Sequence, residues 1–208
     1  MGKSLKSHWE KVYNRQEIDK LGWYEDVPEP SLRLIEKCNL DKAARILNIG
    51  AGATTLIDEL LEREYTSLIA TDISILVLDK LKDRLQKKAG LVDFVVDDLT
   101  NPINLSEIES VDLWHDRAVL HFLTEAKDQD TYFSLLRKLV KKGAFVILAE
   151  FSLVGATKCS GLDVYRYSVS TIKQKLGSGF ELIENFEYTY TQPSGDKREF
   201  VYTLFRRI

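Results

Sequence analysis

The chain has 208 residues, 44% of them hydrophobic and 29% charged, with a formal net charge of -3. That is length enough for one domain with a full core, and we read residues 1–208 as a single domain whose first 30 residues form an arm or cap. No lysine- or arginine-rich run provides the basic footprint that long nucleic acid requires, so nucleic acid is not an expected partner. No apolar run approaches membrane-span length, and MGKSLKSHWEK lacks the apolar core of a signal peptide, so no membrane partner is expected. Cys38 and Cys159 lie far apart and form no CxxC, which suits a reducing cytosol and a cytoplasmic location; no metal pattern is present.

In chain order, the first segment carries His8, Trp9, Tyr13, Trp23 and Tyr24 and reads as a helix, a polar break over 14–19, and then LGWYEDVPEP. Trp9 and Tyr13 are expected to anchor this arm to the core. Trp23, before a proline-punctuated loop, is placed to close over a ligand, since tryptophan faces attract cations. A helix over 31–38 follows, burying Leu32, Leu34 and Ile35.

Residues 44–55, ARILNIGAGATT, organise the rest. An apolar, β-favouring run (Ile46, Leu47, Ile49) breaks at Gly50-Ala51-Gly52 and passes, with Thr54 as expected N-cap, into the apolar-periodic Leu56-Ile57…Leu60-Leu61. A strand–glycine turn–helix brings bare backbone and a helix N-terminus to a ligand. Taken alone it is equally a tight turn in any α/β protein. A second strand, 68–71, ends at Asp72, about 20 residues past the glycines, where a carboxylate accepts both ribose hydroxyls of a nucleotide. A helix over 75–88 has Leu78, Leu81 and Leu85 on one face and a solvated charged face opposite. The third strand, 91–96, repeats the pattern and ends in Asp97-Asp98-Leu99; the acids read either as loop and cap residues or with one accepting an adenine amino group and Leu99 packing on its ring. Ligand sites of open α/β sheets lie at such strand ends.

A short fourth strand, 111–115, leads into Asp116-Arg117 and a helical turn holding Leu120, His121, Phe122 and Leu123. His115 is expected to contact the ligand, Asp116-Arg117 reads equally as an internal ion pair, and His121 as a core histidine. Then come an amphipathic helix over 130–142 stopped by Gly143, a buried strand over 144–150, a long mixed loop over 152–167 and a short helix over 170–176. The alternating runs 180–192 and 199–206, around a turn at 193–196, make a hairpin.

The pattern is α/β: a Rossmann-like, seven-stranded, mostly parallel sheet with helices on both faces and a C-terminal antiparallel hairpin. The ILNIGAG turn, the acids in TDIS and DDL and the terminal hairpin resemble a class I S-adenosylmethionine-dependent methyltransferase over nearly the whole chain. WHDRAVLHFLTE, CSGLDVYRY and LGWYEDVPEPSL resemble a group of small stand-alone bacterial-type members. The resemblance implies S-adenosyl-L-methionine as cofactor. It places Gly50, Ala51 and Gly52 against its methionine and ribose, Asp72 on the ribose hydroxyls, Ile73 beside the adenine, Asp98 near the adenine amino group with Leu99 its neighbour, and His115 at the methionine end. Two departures stand out: Asn48 replaces the usual acid, and a threonine replaces the third glycine.

Methyl transfer from a sulfonium needs alignment more than a catalytic residue. His115 and Asp116 are the candidate bases for a protonated acceptor, and Arg117 or Arg166 the candidate contacts for an acidic one. A small-molecule acceptor is the leading expectation, with a protein lysine methyltransferase second. A nicotinamide-dependent dehydrogenase and a non-catalytic cofactor-binding protein come behind. The acceptor and the oligomeric state are not legible in the sequence.

Overall fold

The structure is a computed structural model that describes residues 5–52 and 54–208. Residues 1–4 of the expected arm and residue 53 of the glycine turn lie outside the described residues. Strand β1 is Arg45–Ile49, β2 Ser67–Asp72, β3 Val92–Val96, β4 Val111–Arg117 and β5 Val140–Phe151. A two-pair ribbon, β6 Lys158–Cys159 with β7 Leu162–Asp163, interrupts the long loop. The chain ends in the hairpin β8 Phe180–Thr191 and β9 Lys197–Arg207. The main sheet has seven strands in the order β3-β2-β1-β4-β5-β9-β8; β1 to β5 pair in parallel, and β9 runs antiparallel to both β5 and β8. The strand order reverses between β1 and β4, which opens a crevice at their carboxyl ends.

Helices α1 Leu5–Arg15, α2 Glu29–Lys37, α3 Leu56–Glu62, α4 Ile75–Leu85, α5 Ala126–Leu139 and α6 Val169–Leu176 cover the sheet. Strand alternation sends Ile46, Leu68, Ala70 and Leu113 to one face, where α2, α3 and α4 supply Leu32, Leu60 and Leu81. Leu47, Ile49, Ile69 and Trp114 go to the other face, under Tyr132, Phe133 and Leu136 of α5 and Ile172 of α6. Both faces of the parallel strands are therefore buried, which is why β1 and β2 read as continuous apolar runs. Each fully buried aliphatic side chain contributes about 1.5–3 kcal/mol.

Several boundaries differ from the sequence reading. Helix α5 begins at Ala126, because its first turn is polar and shows no apolar period. Helix α4 gives way at Gln86, where φ is 50°, to a 3-10 segment. Helix α3 starts after Thr55 rather than Thr54, whose hydroxyl instead donates to the Ala51 carbonyl at 3.1 Å. Strand β4 runs two residues further than expected, to Arg117.

The arm, α1 with the segment up to residue 28, packs as a small separate cluster. Tyr13 and Leu21 are buried beside Val77 of α4, with Trp9, Trp23 and Tyr24 around them. Its polar attachments are the Glu25 carboxylate, 3.0 Å from Arg117 Nε, and, for the rest, its own backbone carbonyls. Lys80 Nζ donates to Tyr13 O at 2.5 Å, Gln192 Nε2 to Gly22 O at 2.6 Å and Arg117 Nη1 to Trp23 O at 3.0 Å. Thr55 Oγ1 donates to Glu25 O at 3.0 Å, and the Tyr190 hydroxyl donates to Tyr24 O. Among the described residues no helix is long and apolar enough to cross a membrane.

Candidate functional site

A cavity of about 830 Å³, counted out to its mouth, lies at the carboxyl ends of β1 to β4. Its floor is Gly50 with Thr54, and one flank is Thr71, Asp72 and Ile73, then Asp97, Asp98 and Leu99. The opposite flank is Arg117, Ala118, Val119, Phe122 and Leu123, with Cys159 from the loop ribbon. Leu5, Trp9, Tyr13 and Trp23 of the arm roof it. The roof rings pack edge to face: Trp9 meets Trp23 at 5.4 Å and Phe122 at 4.9 Å between centroids.

The glycine turn works by having no side chain. Gly50 has φ 57°, a region L-residues avoid, and a Cβ there would overlap Val119 Cγ2. Ala51 N donates to Thr71 O at 2.8 Å, which ties the turn to the end of β2. Ala51 itself is fully buried beneath the turn and does not line the cavity, and Gly52 lies between the Tyr13 hydroxyl and the Asp72 carboxylate.

Asp72 is buried, and burial lifts its pKa to about 7; hydrogen bonds from the backbone of Ser74, Ile73 and Gly52 pull in the opposite direction. The Ser74 N–H donates to Oδ1 at 2.9 Å. Of the two acids after β3, Asp97 is committed to its own loop: its oxygens accept from Ile103 N at 3.0 Å and Leu105 N at 2.7 Å. Asp98 accepts from Thr100 N and Thr100 Oγ1 through Oδ1 alone, at 2.9 and 2.8 Å. Both line the cavity.

Two expected residues are not there. His115 is buried beneath α2, with Nδ1 at 3.0 Å from Asn48 Oδ1 and Nε2 at 2.9 Å from Ser31 Oγ. Burial, and then the nearby Arg117 charge, lower its pKa to about 3, so it is neutral. Asp116 points through the other face, where it accepts from the Tyr132 hydroxyl at 2.6 Å and from Val119 N at 3.0 Å. Because β4 continues to Arg117, both are still mid-strand, and alternation sends their side chains into the two cores rather than off the end. His115 is therefore corrected from ligand contact, and both from candidate base, to buried structural groups. Asn48 sits opposite His115 in the β1–β4 register, so the missing acid alters a buried cross-strand pair rather than the cavity wall. His121 is fully buried, 3.0 Å from Glu150, as a core histidine. Arg166 donates to Leu153 O at 2.7 Å and holds the loop, not the cavity.

What the sequence reading missed is the flank after β4. Ala118, with φ 67°, and Val119 and Phe122 form it. Ala118 and Val119 carry no chemical signal, and Phe122 and Leu123 read there as ordinary core.

The sequence matches a family profile described as a methyltransferase domain over residues 47–146, from β1 into β5. No curated protein matches it. Among solved structures it is similar to a S-adenosylmethionine-dependent methyltransferase from Anabaena variabilis, with TM-score 0.76 and 12% identity over 100% of this chain and 96% of that one. A S-adenosylmethionine-dependent methyltransferase from Methanosarcina mazei gives TM-score 0.66 and 16% identity over 84% and 97% of the two chains. The N-methyltransferase NodS from Bradyrhizobium japonicum gives 0.64 and 16% over 86% and 94%. At these identities the structural likeness speaks for the fold. Residues 47–146 thus match a methyltransferase domain, and the chain as a whole has the fold of class I S-adenosylmethionine-dependent methyltransferases.

Proposed function

We propose that the chain methylates a small-molecule acceptor, with the arm as a lid over cofactor and acceptor together. The observation that carries this reading is the roof. Trp9, Tyr13 and Trp23 close the cavity from above, and its walls are mostly apolar with a few polar groups converging on it, as in small-molecule sites. A peptide substrate asks for an open groove, which the packed arm rings oppose. A dehydrogenase reading is disfavoured by the antiparallel terminal hairpin and the methyltransferase-domain match.

The residues fit an adenosyl group: Gly50, with φ 57° and no side chain, presents bare backbone at the cavity, and Asp72 offers a buried carboxyl at the end of β2. When bound, S-adenosylmethionine supplies an electrophilic methyl on a sulfonium, whose in-line displacement needs no acid at the leaving group. Asp72 would accept the ribose hydroxyls and Asp98 the adenine amino group, with Ile73 and Leu99 covering the ring. The arm rings exclude water and hold the acceptor in line, so the rate comes from proximity and orientation.

Incubation with labelled methyl donor against pooled metabolites and pooled proteins tests this. Label is expected in the metabolite pool; label appearing only in protein overturns the reading.

A further inference from the structure

We infer that the acceptor carries a carboxylate, and that Arg117 is the residue that selects it; this rests on the methyltransferase reading above. The guanidinium of Arg117 is buried and held on two of its three nitrogens. Nε lies 3.1 Å from the Tyr202 hydroxyl and 3.0 Å from Glu25, and Nη1 donates to Trp23 O at 3.0 Å. Nη2 is buried and has no hydrogen-bond partner among the described residues. A buried unmet donor costs about 1–3 kcal/mol, more when charged, and Arg117 lines the cavity, so an acceptor oxygen that reached Nη2 from there would remove that cost.

Charge favours an anionic oxygen. Arg198 is the second cation at this end: it and Arg117 both act to lower the pKa of the Cys159 thiol, against the larger upward effect of burial. Arg198 has no ion-pair partner among the described residues, and its Nε is also buried without an acceptor. Glu25 is the one carboxylate paired with Arg117. The carboxylates lining the cavity, Asp72, Asp97 and Asp98, all lie on its other flank.

Position sets Arg117 apart from the acids expected to hold the nucleoside part of the cofactor, and the 5′-methylthioadenosine comparison below separates the acceptor from the cofactor's own carboxylate. Asp72 and Asp98 follow β2 and β3, on one side of β1; Arg117 ends β4 on the other side. Its guanidinium lies over the rings of Tyr190, at 4.9 Å, and Phe200, at 5.0 Å, which belong to the terminal hairpin beyond β5. The aromatic surroundings (Trp23, Phe122) suit an acceptor with an apolar or aromatic body behind the acid.

The test uses the whole chain saturated with S-adenosylhomocysteine. Benzoate, phenylacetate and indole-3-acetate are titrated calorimetrically against their methyl esters. At least one carboxylate is expected to bind about tenfold or more tighter than its ester. Arg117→Lys, which keeps the charge but loses the fork, is expected to erase that preference. Arg198→Gln, which leaves the Arg117 tethers in place, reduces it and serves if Arg117→Lys does not fold. Esters binding as well as acids, or no acid binding at all, overturns the inference. So does an Arg117→Lys protein that weakens S-adenosylhomocysteine but not 5′-methylthioadenosine, which lacks the amino-acid carboxylate. Wild-type protein that binds no S-adenosylhomocysteine overturns the underlying methyltransferase reading instead.

Discussion

Asp72 holds a proton that an ordinary aspartate gives up. Its folded pKa of about 7, raised from 3.8 by burial, means the unfolded chain ionises first as pH rises. Stability is then highest below about pH 4 as far as Asp72 is concerned, declines by a few kcal/mol towards pH 7, and levels off above. Asp72→Asn flattens that slope in urea titrations. Accepting two ribose hydroxyls needs the ionised form, so S-adenosylhomocysteine affinity rises with pH through about 7 with proton release. Calorimetry in buffers of different ionisation heat reads both. An affinity that stays flat over this range removes Asp72 from the contact. Tyr132 provides a second test: its hydroxyl donates to Asp116 and accepts from Trp114 Nε1 at 2.9 Å. Tyr132→Phe strands both buried partners and costs about 1–3 kcal/mol in chemical denaturation.

Among the elements, the glycine turn and the end of β4 depend on each other. A Cβ at Gly50 collides with Val119, and the positive φ adds strain. Gly50→Ala is expected to cost about 1–3 kcal/mol and to abolish S-adenosylhomocysteine binding. Adding Val119→Ala removes the overlap but not the strain, so a thermal-melt double-mutant cycle recovers part of the loss. Independent effects show that the two loops do not press on one another. The turn was legible because local chemistry writes it: an apolar run, two glycines and then an apolar period. The end of β4 was not. His115 looks like the ligand-facing last residue of the strand and Asp116-Arg117 like the loop after it, because three polar residues in a row do not belong inside a covered parallel strand. They are tolerated there because Ser31, Tyr132 and Glu25, each from another element, meet them. Such partners lie 84, 16 and 92 residues away by numbering and leave no trace in the local pattern. The loop ribbon β6–β7 was missed for a simpler reason: two residue pairs are too few to show alternation.

The whole molecule divides into a sheet sandwich with two large cores and an arm with a small cluster of its own. Opening the arm therefore costs far less than unfolding the sheet. Amide exchange over residues 5–20 is expected to be fast in the free protein and slowed by S-adenosylhomocysteine, while β1 and β4 stay protected throughout. Deleting residues 1–20 is expected to leave the melting temperature within a few degrees while raising the ligand's dissociation rate about tenfold or more. An unchanged rate denies the arm its role as a lid.

The arm is fastened by main-chain oxygens. Lys80, Gln192, Arg117, Thr55 and Tyr190 all grip carbonyls, a feature every amino acid presents alike. Apart from Glu25, whose carboxylate pairs with Arg117, the polar part of the mounting is thus indifferent to which side chains it carries. Trp9 or Trp23 can be exchanged to reshape the chamber for another guest while the clasp still closes, which makes this segment the natural place to retarget the enzyme.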